Sequence, residues 1–309
     1  NGTGTLAGRL QVGSMENSGD YTVNAGGVLQ SGETIANSGG LAIAGQVVAA
    51  LNNTGTTTLA GTGSISGSLT NSGSATIAGT VAGRVINTGT ALQPGTLTLA
   101  GGSIGGPVTN GVNGRLGGNG TINNTLENAG TAELGGRVTG LVTNTGTLTS
   151  AGTLAVAGLS NAANGEVNVA TGSTLQSGTE VQNGGALNVH GTLAAGLNNA
   201  GTAILGGAVT GAVANSGTTT LAGGTISGAV TNAARGNLNG TGTINNTLAN
   251  AGTATLAGRV TGQITNTGTL NVAQGTTLRA DQVIQNNRQV NINGALAGDL
   301  NNTANAVIG

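Results

Sequence analysis

Seventeen times along the chain an Asn opens a short turn-like string, most often Asn-x-Gly-Thr, and successive strings keep a narrow spacing. The series is Asn17, Asn37, Asn53, Asn71, Asn87, Asn110, Asn128, Asn144, Asn161, Asn183, Asn199, Asn215, Asn232, Asn250, Asn266, Asn286 and Asn302. Gaps run from 16 to 23 residues with 16 the commonest, so the basic unit is 16 residues with insertions. Such a period constrains the fold more than any other feature. Each unit is one supersecondary element that can bury its apolar face only against its neighbours.

Inside a unit the period is two. From Thr131 onward, Ala132, Leu134, Gly136, Val138, Gly140 and Val142 share one face, and Thr131, Glu133, Gly135, Arg137, Thr139 and Thr143 share the other, with Leu141 out of phase. That alternation marks strands with one buried face, and no useful 3.6-residue stripe competes with it. Gly after each Asn marks positions where the chain bends or takes positive φ. A 16-residue unit therefore holds two or three short strands joined by tight corners.

Antiparallel hairpins and a helically wound parallel stack could both use such units. Identical patterns in identical order favour the stack, because equivalent residues then lie above one another and each strand pairs with the coils on either side, about 4.8 Å away. The expected fold is all-β: a single-stranded parallel β-helix, or β-solenoid, of 16–23 residues per coil, with residues 1–309 as one continuous domain. Seventeen units at that spacing give a rod of roughly 80 Å. The recurring Asn side chains are expected to bond from coil to coil as a ladder along one corner.

Composition agrees with a thin interior. The chain has no Phe, Trp or Cys and a single Tyr, Tyr21, whereas conventional cores of this size lean on aromatics. Its 62 Gly could signal disorder, but 37% apolar content, two Pro and strict spacing argue for order. Eight Arg, no Lys and a net charge of −1 make nucleic acid and anionic membranes poor partners. Without Cys there is no disulfide framework or thiolate metal site. No apolar run is long enough for a membrane helix, so this segment is not expected to insert in one. The opening Asn1-Gly2-Thr3 shows neither an initiator Met nor a signal pattern, and the chain is read as a fragment of a longer secreted protein.

A longer repeat overlies the units. Thr218 to Asn232 matches Thr96 to Asn110, and Thr243 to Leu248 matches Thr121 to Leu126, both at an offset of 122 residues. A block of coils reads as duplicated. Wider coils carry their own string, Leu29-Gln30-Ser31-Gly32 and Leu175-Gln176-Ser177-Gly178, with a degraded form at Leu278-Arg279-Ala280-Asp281.

The strings Ile35-Ala36-Asn37-Ser38-Gly39-Gly40-Leu41-Ala42-Ile43-Ala44-Gly45 and Val142-Thr143-Asn144-Thr145-Gly146-Thr147-Leu148 resemble coils of filamentous-haemagglutinin-like and autotransporter passenger proteins of Gram-negative bacteria. Gly26-Gly27-Val28-Leu29-Gln30-Ser31-Gly32 is similar to autotransporter adhesin repeats. The likeness spans essentially the whole chain and concerns fold and secretion style, not a ligand. It implies right-handed winding, export across the outer membrane to the bacterial cell surface, and a role in adhesion, aggregation or biofilm formation. It also implies an accompanying secretion domain or barrel, neither of which is in this segment.

Catalytic chemistry has few candidates. The only His, His190, has an outward phase with no Ser or acid partner fixed by the sequence. Glycosidases need paired carboxylates, and Glu16 with Asp20 or Glu127 with Glu133 flank Asn turns, but such residues also suit a solvated surface. No catalytic residue is assigned. Arg9, Arg84, Arg137 and Arg259 follow Ala-Gly or Gly-Gly, read as one unit position, and are expected outward, several coils apart. Gly117-Gly118-Asn119-Gly120-Thr121 is similar to calcium-binding nonapeptide repeats but lacks the Asp and occurs once, so no metal and no cofactor are expected.

Outward Thr-x-Thr pairs recur at Thr56/Thr58, Thr147/Thr149, Thr218/Thr220 and Thr253/Thr255, with relatives Ser74/Thr76, Thr131/Glu133 and Thr269/Asn271. Flat rows of hydroxyls and methyls are the geometry of an ice-binding face; Thr also simply suits an exposed strand, and Glu133, Ile204 and Asn271 interrupt the rows. The functional expectation is a non-enzymatic, secreted or cell-surface structural and adhesive repeat protein. Its partners would be cell-surface or glycan ligands, or copies of itself, engaged through many weak contacts. The alternatives are an ice-binding solenoid and a polysaccharide-processing enzyme.

Overall fold

Four inward positions recur in a typical coil, two on the first of its short strands and one on each of the other two, as with Ala75, Ile77, Val81 and Val85. The computed structural model describes residues 2–309; Asn1, at the head of the expected domain, lies outside them. Every regular element is a strand and, among the described residues, there is no helix. The chain forms two compact units, one up to Ala157 and one from Gly158 to Gly309. Each is a parallel β-solenoid.

In the first unit a coil has three arms. The first follows the Asn turn, as in Thr56–Leu59 and Ser74–Ile77; the second is shorter, as in Ser64–Ile65 and Thr80–Val81; the third ends on the Asn, as in Leu69–Asn71 and Val85–Asn87. Pairing is parallel and in register along each arm: Thr56 with Ser74 and Ser74 with Thr96, Ile65 with Val81, Asn71 with Asn87. The second unit repeats the plan, with Thr202–Leu205, Ala208–Val209 and Val213–Asn215 as one coil. Side chains alternate across each arm, so Leu59, Ile77 and Leu99 stack inside one arm while Ile65, Val81 and Ile104 stack inside the next. Burying each such side chain stabilises by about 2 kcal/mol. The columns are filled mainly by Leu, Ile, Val and Ala, with Tyr21 and Thr57 among the exceptions. The strand Thr131–Asn144 shows the sequence alternation directly: Ala132, Leu134, Val138 and Val142 are buried, and Leu141 lies outside, half exposed.

Glycine has two separate roles, and one differs from the sequence expectation. Gly39, Gly55 and Gly73 of the Asn-x-Gly strings do not take positive φ. They stack, and a Cβ on Gly55 would overlap the Gly39 carbonyl oxygen, as one on Gly73 would overlap that of Gly55. Clearance between coils, not handedness of the backbone, selects Gly there. Positive φ is used instead at Gly101 (φ 86°), where the long strand Gly95–Ile104 changes register between Ala100 and Ser103. It also marks the wide coils: Ser173 N–H donates to Ala170 O at 3.0 Å with Gly172 at φ 76°, a type II turn that projects before the Leu175 string.

Candidate functional site

The ladder positions decide which polar groups remain available. In the first unit each Asn from Asn17 to Asn128 donates through Nδ2 to the Oδ1 of the next, ending on Asn144, at 2.7–2.8 Å. In the second the row runs from Asn161 to Asn302 at 2.6–2.9 Å. The same amide also reaches two carbonyls: Asn53 Nδ2 donates to Gly55 O at 3.1 Å and Ser74 O at 2.9 Å. The Asn is thus the last residue of the third arm with its side chain turned inward, not a member of an exposed turn, and the interior rungs are buried. Each neutral bond of this kind is worth about 1 kcal/mol net, and its loss in a buried place costs more. The interior rungs therefore stabilise coils and present no amide outward.

Two residues join it that the sequence pattern did not single out. Thr57 and Thr219 are buried at inward positions, and their Oγ1 hydroxyls donate to Asn53 Oδ1 and Asn215 Oδ1, both at 2.9 Å. Their signal was a Thr between apolar residues of one column, such as Leu41 and Ala75 on either side of Thr57.

The carboxylates of the two proposed pairs are all exposed. Glu16 opens the two-residue strand Glu16–Asn17 and Asp20 begins the next strand. Glu127 lies on a third arm, Leu126–Asn128, and Glu133 on the following first arm, so a corner separates them. His190 is exposed just past Ala186–Val189. Among the described residues no group of three or more His, Asp or Glu is placed to hold a metal ion.

The four Arg positions are not one column. Register leads from Arg9 through Val28, Gln46, Ser64, Thr80, Ser103 and Thr121 to Arg137 on second arms. Thr80 holds that place in its own coil, and Arg84 sits four residues later at the corner before Val85–Asn87, donating to Thr109 Oγ1 at 3.4 Å. In the second unit Arg259 lies directly against Arg279, and both bind Asp281: Arg259 Nε donates to Oδ2 at 2.8 Å and Arg279 Nε to Oδ1 at 3.0 Å. Arg259's hydrogen bond lowers the Asp281 carboxyl below its ordinary range, with desolvation opposing it, and raises the guanidinium in return.

The first arms carry the outward rows. In the first unit Thr56/Thr58, Ser74/Thr76 and Thr96/Thr98 stand on three successive coils in register, followed by Arg115/Gly117 and Thr131/Glu133. In the second unit Thr202/Ile204, Thr218/Thr220, Asn237/Asn239, Thr253/Thr255 and Thr269/Asn271 follow one another. Successive rungs are about 4.8 Å apart. Where Gly117 interrupts the first row, a shallow notch of about 380 Å³ opens among Thr96, Thr98, Arg115, Leu116, Thr131 and Glu133.

These features define a parallel β-solenoid with a closed amide interior and level outward faces of hydroxyl and amide side chains. No family model and no curated protein matches the chain. Among solved structures it is similar to the crystal structure of the TibC-catalyzed hyper-glycosylated TibA55-350 fragment, at 20% identity and a TM-score of 0.36, over 99% of this chain and 100% of that one.

Proposed function

We propose that the chain is a secreted or cell-surface structural repeat protein that adheres through its outward faces to surface glycans, neighbouring cells or copies of itself. Adhesion, aggregation and biofilm formation at the bacterial outer surface belong to the same reading. The observation that supports it is the in-register outward row, which offers hydroxyl or amide pairs on runs of successive coils, Thr56/Thr58 to Thr96/Thr98 in the first unit and Thr218/Thr220 to Thr269/Asn271 in the second. Single contacts of that kind are weak, and many along one face add through multivalency. The reading makes the chain a non-enzyme without cofactor. Cells displaying the protein are expected to clump and to bind glycan-coated surfaces; equal behaviour of cells without it would overturn the proposal. Hydrolysis of a polysaccharide panel that disappears in a Glu127→Gln, Glu133→Gln double variant would replace it with an enzyme.

A second reading rests on the three aligned rungs from Thr56/Thr58 to Thr96/Thr98. Hydroxyls and methyls at coil spacing can order water as an ice-binding face does. Thermal hysteresis that is lost on changing Thr58 and Thr76 to Lys would establish it, and zero hysteresis in the unmodified protein removes it.

A further inference from the structure

The first-arm row of the first unit is interrupted at Gly40/Ala42 and again at Arg115/Gly117, and only the second interruption has opposite charges at its edge. On neighbouring coils Thr98 and Glu133 hold the position that Gly117 leaves without a side chain, so the face sinks to the backbone beside Leu116. Nothing in the coil demands Gly there. Gly117 does not take positive φ, and a Cβ on it would meet only the Glu133 carbonyl oxygen at 3.7 Å, an ordinary contact. The duplicated block has Asn239 at this place and Asn237 in place of Arg115, and its coil keeps the same pairing.

The rim of the notch carries opposite charges that do not bind each other. Arg115 pairs with Thr131 in the backbone register and Gly117 with Glu133, which sets the guanidinium and the carboxylate diagonally across the depression. Among the described residues neither side chain has an ion-pair or hydrogen-bond partner, whereas Arg259 and Arg279 are taken up by Asp281. Three hydroxyls, of Thr96, Thr98 and Thr131, complete the rim.

We propose that this notch binds a single acidic sugar residue, with Arg115 on its carboxylate and Glu133 and the Thr hydroxyls on its ring hydroxyls. A guanidinium meets a carboxylate with two parallel charge-assisted bonds, while a carboxylate such as Glu133 accepts from neutral hydroxyls. The bare backbone floor at Gly117 leaves room for the face of a ring. The inference deepens the glycan-binding part of the proposed function and rests on it.

The test is amide NMR titration of the complete chain with glucuronic acid, glucose and glucosamine. Shifts are expected at Leu116, Gly117 and Glu133, with glucuronic acid binding at least about tenfold tighter than glucose, the worth of one charge-assisted contact at an open site. Arg115→Asn should erase that preference and Gly117→Asn should remove binding, and both variants carry the residues that the duplicated block already accommodates. Absent shifts at the notch, equal binding of the three sugars, a preference for glucosamine or binding untouched by Gly117→Asn would each overturn the site. Beads coated with unmodified protein separate the two proposals. Adhesion without notch shifts discards the notch and keeps the adhesive role, and notch shifts without adhesion do the reverse.

Discussion

The stretch from Thr96 to Leu148 and the stretch from Thr218 to Leu270 lie in different units and align without a gap at an offset of 122. Inside, they agree with one polar exception: Leu99, Ile104, Val108, Leu116, Ile122, Leu126, Leu134 and Val138 are answered by Leu221, Ile226, Val230, Leu238, Ile244, Leu248, Leu256 and Val260, all buried, while Leu97 is answered by the buried Thr219. The bulge repeats as well, Gly101 at φ 86° answering Gly223 at φ 88°. Outside, they part: Arg115, Gly117, Glu127 and Glu133 face Asn237, Asn239, Ala249 and Thr255. Stacking dictates the inward residue at each level, because any side chain there must fit the coils above and below. Outward positions carry no such demand, and it is there that the two copies differ in chemistry.

The largest effects should fall on the shared interior. Leu134→Asp and Leu256→Asp each bury a charge without a partner and are expected to cost roughly 4 kcal/mol or more locally, read as lost hydrogen-exchange protection of the adjoining coils. A loss below about 1 kcal/mol in one block alone would break the equivalence of the two interiors. Next come the amide rows. Asn128→Ala and Asn250→Ala each strand a buried donor below and an acceptor above, at about 2–3 kcal/mol by denaturant unfolding, and unequal losses would show that the rows are not interchangeable.

Glycine substitutions sharpen the comparison further. A Cβ at Gly146 or Gly268 overlaps the carbonyl of the stacked Gly130 or Gly252, so Ala there is expected to cost about 2 kcal/mol. At Gly101 and Gly223 the space is open and only the left-handed backbone resists, about 1 kcal/mol. The reverse order would refute the clearance argument. The smallest effect separates Arg137 from Arg259, since only the latter has a described carboxylate partner. Asp281 titrates below its unfolded value, so its contribution is complete above about pH 4 and disappears as pH falls through the lower folded value. Melting profiles of the native chain and of Asp281→Asn should therefore converge below pH 4, and parallel profiles would deny the pairing a role in stability.

Much of the coil was legible because the strand period and the Asn spacing are both set by the stack. Alternation from Ala132 to Val142 placed the arms, and the recurrence of whole units implied parallel pairing. What stayed hidden has a common cause: short strings of small residues recur at more than one corner. Ala-Gly-Arg before Leu10 and before Val85 looks alike, yet the first leads into a second arm and the second into a third. Gly in the Asn-x-Gly string and Gly101 are the same residue answering different constraints, one of contact and one of φ. The notch was invisible for a related reason. Gly117 matters only through what stands beside it on the coils before and after, some 16 to 19 residues away in sequence.

The amide rows also give each unit a polarity. Every Nδ2–H in a row points toward the C-terminal side and every Oδ1 toward the N-terminal side, so the dipoles add along the stack and reinforce one another. A coil can therefore join such a row only the right way up, because each rung must accept from the one before it and donate to the one after.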